Sequence, residues 1–404
     1  MAAYSSVVSS ILFFFFFLFL RSDAIVPANE TFHYVNEGDF GTFDSEYAPT
    51  YRPLPPFTFP FQLCFYNTTP NAYTLALRMG TRRDGTVMPW VWEANRGKPV
   101  SENATFSLLS DGNLVLADAN GQIAWQTDTA NKGVVGFAIL SDGNVVLRDS
   151  KGNFVWQSFD SPTDTLLVGQ TLSVRGGPLK LVSRESITNN VNGVYSLLPK
   201  VNTKRTTFTH SGVTFKTAKL FEFPDLGLGQ VRYNSSLSYL RLGIDGNLRL
   251  YTYRANVRGN AWSLLFTLFD RREDEFRMDF EDECQLPNRC GKFGLCEDSQ
   301  CVGCPKPDGV LAWSKDCDTK SPGCEASGFK YYELKGVDHF TVKYTGGNGP
   351  MKRSECESKC TKDCKCMGYF YRTDKSRCWI AYELKTLTRV GNSTHFAYIK
   401  TPIS

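Results

Sequence analysis

Three short strings along this chain each set a carboxylate and an amide in line. The first is Asp111, Asn113 and Val115, the second Asp142, Asn144 and Val146, and the third Asp245, Asn247 and Tyr251. Alternate side chains of a strand share a face. In each string, two hydrogen-bonding groups therefore stand beside an apolar or aromatic one. Such a set suits a hydroxyl-bearing ring, with polar groups for the hydroxyls and the Val or Tyr for the ring itself. The same residues have a plainer use. Asp and Gly belong in tight turns for backbone reasons alone, and Asp-Gly-Asn occurs in all three strings.

Other chemistry is thinly represented. His33, His210, His339 and His395 sit in unrelated contexts, and none neighbours a nucleophile string such as Gly-x-Ser-x-Gly. Asp160 and Asp164 form a carboxylate pair, but Pro162 and Thr163 between them mark a turn. Cys301-x2-Cys304 has zinc-like spacing, yet no second CxxC or His pair completes a four-ligand site. No Gly-rich phosphate loop is present. These readings argue against an enzyme and imply no cofactor and no metal. A net charge of +4 among 45 basic and 41 acidic residues does not imply a nucleic-acid partner.

The elements that must carry the strings are small hairpins. Phe106–Thr127 and Phe137–Ser158 are copies of one another, identical at twelve of 22 positions and offset by 31 residues. A fixed period marks one supersecondary unit stacked on itself. Each copy reads as an antiparallel meander: an apolar run, Ser-Asp-Gly-Asn, a second run, a Gly turn, and a strand ending in Trp-Gln. Asp-Gly and Asn-Gly provide the positive φ that tight hairpins need. Trp92, Trp125 and Trp156 recur near strand ends, which predicts one shared aromatic core. The stretch around Tyr239–Tyr253 repeats the two-strands-around-Asp-Gly design, and 171–283 reads as a second β domain. Charged residues crowd 271–283 and read as a solvated linker.

Before the repeats, residues 25–60 hold six prolines among aromatics and read as an extended lead-in. Residues 1–24 contain a ten-residue apolar run, too short to span a bilayer (~20 residues needed), followed by small residues; they read as a secretory signal peptide. No other apolar run nears spanning length, so the reading is a secreted, extracellular chain without a membrane anchor. Five Asn-x-Ser/Thr sequons, at Asn29, Asn67, Asn103, Asn234 and Asn392, make a glycoprotein the favoured reading. Of thirteen cysteines, twelve crowd the C-terminal third: Cys284, Cys290, Cys296, Cys301, Cys304, Cys317, Cys324, Cys356, Cys360, Cys364, Cys366 and Cys378. Behind a secretory leader this is a disulfide framework. Ser354-x2-Glu357 reads as a capping box, with Cys356, Cys360 and Cys364 on one face of the helix that follows. Cys64 is the odd one, either a buried free thiol or a link between chains.

The two repeats, Trp92-Glu-Ala-Asn-Arg96 and Trp156-Gln-Ser-Phe-Asp-Ser-Pro-Thr-Asp-Thr165, resemble the bulb-type lectin domain of plant S-locus glycoproteins. The cysteine pattern at 284–317 is similar to the EGF-like module of those proteins. Cys356-x3-Cys-x3-Cys-x-Cys-x11-Cys378 is similar to their PAN/apple module. Phe59–Ala72 looks most like the epidermis-specific secreted glycoproteins within that family. The resemblance implies a mainly β chain: lectin β-prism at 61–170, a second such domain at 171–283, an EGF-like module at 284–317 and a PAN/apple module at 324–400. It also implies residence in the cell wall or apoplast. By the same resemblance the EGF-like cysteines pair first with third, second with fourth, and fifth with sixth. Cys356 pairs with Cys378 and Cys360 with Cys366, and Cys324 with Cys364 is the remainder.

The mannose-binding members carry Gln-x-Asp-x-Asn-x-Val-x-Tyr. Here Leu109 and Leu140 replace the Gln, and Ala117 and Arg148 replace the Tyr. Asn71-x-Tyr73-x-Leu75-x-Leu77 is the degenerate third copy, and in the second domain Gly243 and Arg249 replace the Gln and Val. Two missing hydrogen bonds cost about 1–3 kcal/mol, against about 4 kcal/mol for a single millimolar site. The expectation is a non-enzymatic lectin scaffold with degenerate mannose sites, recognising cell-wall glycans or glycoproteins, extracellular proteins or receptor ectodomains. The alternative is a pure protein partner, or soluble decoy, of S-domain receptors. Arg148 and Arg249 raise the further idea of an acidic sugar.

Overall fold

The computed structural model describes residues 25–170, 180–200, 205–210, 213–218, 237–270, 281–315, 317 and 328–403. The expected signal peptide, the sequon at Asn234, Cys324 and most of the charged 271–283 stretch lie outside them. The chain divides into two units, residues 1–161 and 162–404.

The first unit contains strands β1 (Phe32–Val35), β2 (Thr50–Thr58), β3 (Phe61–Asn67), β4 (Thr74–Met79), β5 (Trp90–Glu93), β6 (Thr105–Leu108), β7 (Leu114–Ala117), β8 (Ile123–Gln126), β9 (Val134–Ile139), β10 (Val145–Asp149) and β11 (Phe154–Gln157). They form three sheets, ordered β2-β3-β4-β5, β1-β6-β7-β8 and β11-β10-β9. Each sheet sends one Trp inward opposite a fully buried Leu: Trp92 against Leu77, Trp125 against Leu116 and Trp156 against Leu147. The three indoles meet edge to face, with centroids 5.7, 5.9 and 6.0 Å apart. Edge-to-face contact sets the positive rim of one ring on the negative face of the next. Three such contacts close a ring of aromatics around a pseudo-three-fold axis.

The lead-in is woven into these sheets. Strand β1 pairs with β6 across Phe32–Leu108 to Val35–Thr105, and β2 pairs with β3. Its prolines are no obstacle, because β2 is an edge strand whose outward N–H groups have no partner to lose. Arg52 fastens the lead-in, donating to Glu102 through both Nη atoms (2.6 and 3.0 Å) and to Asn36 and Gly38.

The second unit opens with two four-stranded sheets. One is ordered β12 (Thr165–Leu167), β17 (Ser238–Leu242), β18 (Leu248–Tyr253), β19 (Trp262–Thr267). The other is β13 (Leu181–Arg184), β14 (Asn192–Lys200), β15 (Arg205–His210), β16 (Val213–Ala218). Leu166, Leu181, Leu197, Leu240 and Leu250 share one core.

Farther along, disulfides join Cys284 to Cys296, Cys290 to Cys301 and Cys304 to Cys317. This splits the Cys301-x2-Cys304 pair between two bridges. Cys356 joins Cys378 and Cys360 joins Cys366. Cys364 is also disulfide-bonded. The two disulfide-rich segments share a sheet, because Leu295–Glu297 pairs in parallel with Leu387–Arg389. Thr386 and Thr388 hydroxyls bond the backbone at Cys290 and Cys284.

Helix α1 (Phe340–Tyr344) is one short turn, and α2 (Arg353–Lys362) is the longer helix. The expected capping box is shifted. Lys352 precedes α2, and Glu355, not Glu357, takes the backbone N–H of residue 352 (3.2 Å), so Ser354 falls inside the helix. Cys356 and Cys360 are buried on one face, while Cys364 lies past the helix end. Lys400 closes that end, donating to the carbonyls of Cys360 and Asp363 (3.2 Å each).

Candidate functional site

Each Asp-Gly-Asn string makes the same turn. Gly112, Gly143 and Gly246 have φ of +88°, +88° and +82°, a region that favours Gly. The Asp carboxylate accepts the N–H of the Asn two residues on, at 2.9 Å for Asp111, 3.0 Å for Asp142 and 3.0 Å for Asp245. One carboxylate oxygen of each string is thus occupied in holding the turn.

The Asn side chains are buried and reach to the end of the next strand. Asn113 donates to Gln126 (2.9 Å) and accepts from the backbone of Thr129 and the hydroxyl of Thr127. Asn144 donates to Gln157 (2.8 Å) and accepts from Ser158 Oγ and Phe159 N. In the second unit, Asn247 exchanges two bonds with the backbone of Phe269, at 2.8 and 3.0 Å. In all three strings the amide staples a hairpin to the following strand. The sequence signal for this was the Trp-Gln that ends each repeat, since Gln126 and Gln157 are the partners.

The apolar member of each string is shut as well. Val115 is 8% exposed and Val146 is 0% exposed, so neither offers a surface to a sugar ring. Part of the cover comes from the lead-in. His33, on β1, reaches Ser107 (2.8 Å), which sits opposite Val115 on the same face. Glu30 lies over Gly136, two residues from Ala138, which faces Val146.

The acidic-sugar idea also meets the geometry. Arg249 is paired with Asp245 of its own string, by two bonds of 2.9 and 2.6 Å. Burial raises the Asp245 carboxyl, but the guanidinium bonded to it holds the pKa below the usual carboxylate range. The pair is therefore charged and mutually neutralised, and Arg249 is not available as a free cation. Tyr251 stacks on Tyr239 at 5.1 Å. Arg148 is exposed.

The third copy is one residue out of the expected register. Leu77 faces Trp92, as Leu116 faces Trp125, and Ala76 faces Glu93, as Val115 faces Gln126. All three sheets bulge at the next residue: Arg78, Ala117 and Arg148. The outer face of the third copy therefore carries Thr74, Ala76 and Arg78. Tyr73, Leu75 and Leu77 alternate with them, and both sets are buried: Ala76 packs with Tyr51, Cys64, Tyr66, Met88 and Trp90. A one-residue slip exchanges the two faces of a strand.

Cys64, in β3, is a fully buried free thiol. Among the sequons, Asn29, Asn103 and Asn392 are exposed, whereas Asn67 is buried and accepts from the Thr50 hydroxyl. Among the described residues, no helix is long and apolar enough to cross a membrane.

Comparison with known proteins agrees with this architecture. The family described as D-mannose binding lectin matches residues 89–184, a span that includes both repeats and leaves β1 to β4 outside. A G-type lectin S-receptor-like serine/threonine-protein kinase of Arabidopsis thaliana is 26% identical over 78% of this chain and 39% of its own length. The epidermis-specific secreted glycoprotein EP1 of Daucus carota is 52% identical over 77% of this chain and 93% of its own. EP1-like glycoprotein 3 of Arabidopsis thaliana is 44% identical over 98% of both chains. With the lectin sheets, the cysteine framework and an end-to-end match in agreement, this chain belongs to the family of EP1-like secreted glycoproteins.

Proposed function

We propose that this protein is a non-enzymatic recognition protein of the plant cell wall and apoplast, whose mannose sites have become structural. In this reading it recognises extracellular proteins, receptor ectodomains or non-mannose wall glycans through other surfaces. The disulfide-rich 284–317 and 324–400 segments serve as EGF-like and PAN/apple contact modules. The observation that carries the reading is the internal use of Asn113, Asn144 and Asn247 as staples, with Val115 and Val146 buried beside two of them. A sugar hydroxyl that displaced those amides from Gln126, Gln157 or Phe269 would break the hairpin staples.

His395 and His33 support the non-enzymatic part. His395 receives the Arg372 guanidinium on Nε2 (2.7 Å), so its proton sits on Nδ1, bonded to Asp338 (2.7 Å). Both ring nitrogens are thereby committed inside the fold. Ser107, the hydroxyl beside His33, is buried.

The test has two parts. A glycan array of the secreted protein is expected to give no signal for mannose or oligomannose; a strong signal removed by Asn113→Ala would sink the proposal. Pull-down from wall extract is expected to retain its partners after the extract is deglycosylated. Loss of every partner on deglycosylation would return the protein to lectin action.

A further inference from the structure

The outer face of the third copy carries two guanidiniums that converge on one neutral oxygen. Gln62 Oε1 accepts from Arg78 Nη2 (2.6 Å) and from Arg82 Nη2 (3.1 Å). Neither Arg is in an ion pair among the described residues. Arg78 is only 3% exposed, and its Nη1 has no hydrogen-bond partner. Its guanidinium stands over the Tyr51 ring, 5.0 Å from the centroid, which offsets part of the cost of burying the charge, but the unused Nη1 donor remains without an anion. Two guanidiniums sharing one amide oxygen repel each other as well.

Aromatic surface adjoins this cluster. Phe57 stands opposite Gln62, and Gln62 opposite Arg78, so the three side chains form one row across β2, β3 and β4 on the same face. Phe57 is 54% exposed, and Phe59, in the turn that follows, is exposed too. Arg82 is exposed and reaches the row from the loop after β4. By register, Arg78 holds the place of Ala117 and Arg148 in the other copies.

We infer that this row is an anion-dependent sugar site for a uronate residue of an acidic polysaccharide. The ring's apolar face would lie on Phe57 and its carboxylate on Arg82, backed by the field of buried Arg78. A guanidinium can give a carboxylate two parallel hydrogen bonds, and a flat aromatic beside it selects a ring over a simple ion. Neutral mannose offers no charge to such a pair. The inference rests on the recognition reading above and narrows it to a ligand class.

The test is calorimetric titration of the full secreted chain with a de-esterified oligogalacturonide, its fully methyl-esterified counterpart, polyglutamate and inorganic phosphate. The de-esterified oligomer is expected to bind, and to bind less tightly as salt rises. The methyl ester, and the Arg82→Gln and Phe57→Ser variants, should each bind roughly tenfold or more weakly, the loss expected for a charged hydrogen bond or a stacking contact. Lys132→Gln, which removes an exposed cation elsewhere, should bind as the parent does. Both Arg82→Gln and Phe57→Ser alter exposed side chains, and an unchanged circular dichroism spectrum confirms their fold. Equal binding of phosphate or polyglutamate would overturn the sugar assignment, as would full affinity in Arg82→Gln. Failure here with pull-down partners retained would remove this site and leave the broader reading standing.

Discussion

Cys64 shows how far one residue's surroundings set its chemistry. It sits in the middle of β3, wholly buried, its thiol donating weakly to the Gln62 carbonyl (3.8 Å). Burial outweighs the nearby Arg78 and Arg82 charges and pushes its pKa up to about 12. In the unfolded chain a thiol ionises near ~8.5. Between those values the unfolded chain releases a proton that the native one keeps, so stability falls as pH rises through that window. By pH 10 this term amounts to about 2 kcal/mol. Denaturant unfolding at pH 8 and pH 10 should show a larger loss in the parent than in Cys64→Ala, and an equal loss in both would refute the assignment. Iodoacetamide should leave Cys64 unlabelled until the protein unfolds. The flanking Leu63 and Phe65 favoured burial but left a link between chains open, and the structure places Cys64 as a buried free thiol. The clustering of Arg78, Arg82 and Gln62 was not legible, because those three are brought together only by strand register and a loop.

At the scale of elements, the Asp-Gly-Asn turn and the Asn staple act as one device. The Asp fixes the turn, the Gly allows it, and the Asn ties it to the strand end beyond. Asn144→Ala would strand the N–H of Phe159 and the Oε1 of Gln157, and should lower stability by about 1–3 kcal/mol. Chemical denaturation followed by tryptophan fluorescence reads the change directly, since Trp156 precedes Gln157. A loss below ~0.5 kcal/mol would mean the staple is dispensable. Alternation in the sequence located the face of these residues but not their partners, and on an outer strand face a polar residue reads equally as ligand or as staple. The third copy was misread for a related reason. Without Asp-Gly-Asn to mark the turn, nothing in Asn71–Leu77 distinguishes one register from the next, and Trp92 decides it only once its partner Leu77 is known. The helix α2 cap slipped likewise, because Ser354-x2-Glu357 and Lys352-x2-Glu355 differ in a backbone conformation that composition does not specify.

At the scale of the molecule, stabilisation differs between the ends of the chain. The only cysteine before residue 284 is Cys64, so the first unit rests on its aromatic ring and sheets alone. The C-terminal segments depend on crosslinks, since short segments bury too little to fold without them, and a disulfide typically contributes about 2–4 kcal/mol. Mild reduction should therefore loosen the 284–317 and C-terminal segments together, through their shared sheet, while the near-ultraviolet circular dichroism of the Trp92–Trp125–Trp156 trio persists. Joint loss of both signals would contradict this division. The crowding of disulfides toward the C-terminal end was readable from the cysteine distribution. The incorporation of the lead-in was not, because its prolines masked an edge strand. That incorporation bears on how the protein is made. Strand β1 leaves the ribosome before β6, so Phe32 must wait for Leu108 and Val35 for Thr105. During synthesis β1 therefore stays without its partner until the first repeat has followed it out. An early strand held open for that interval is where a chain of this design most needs chaperones.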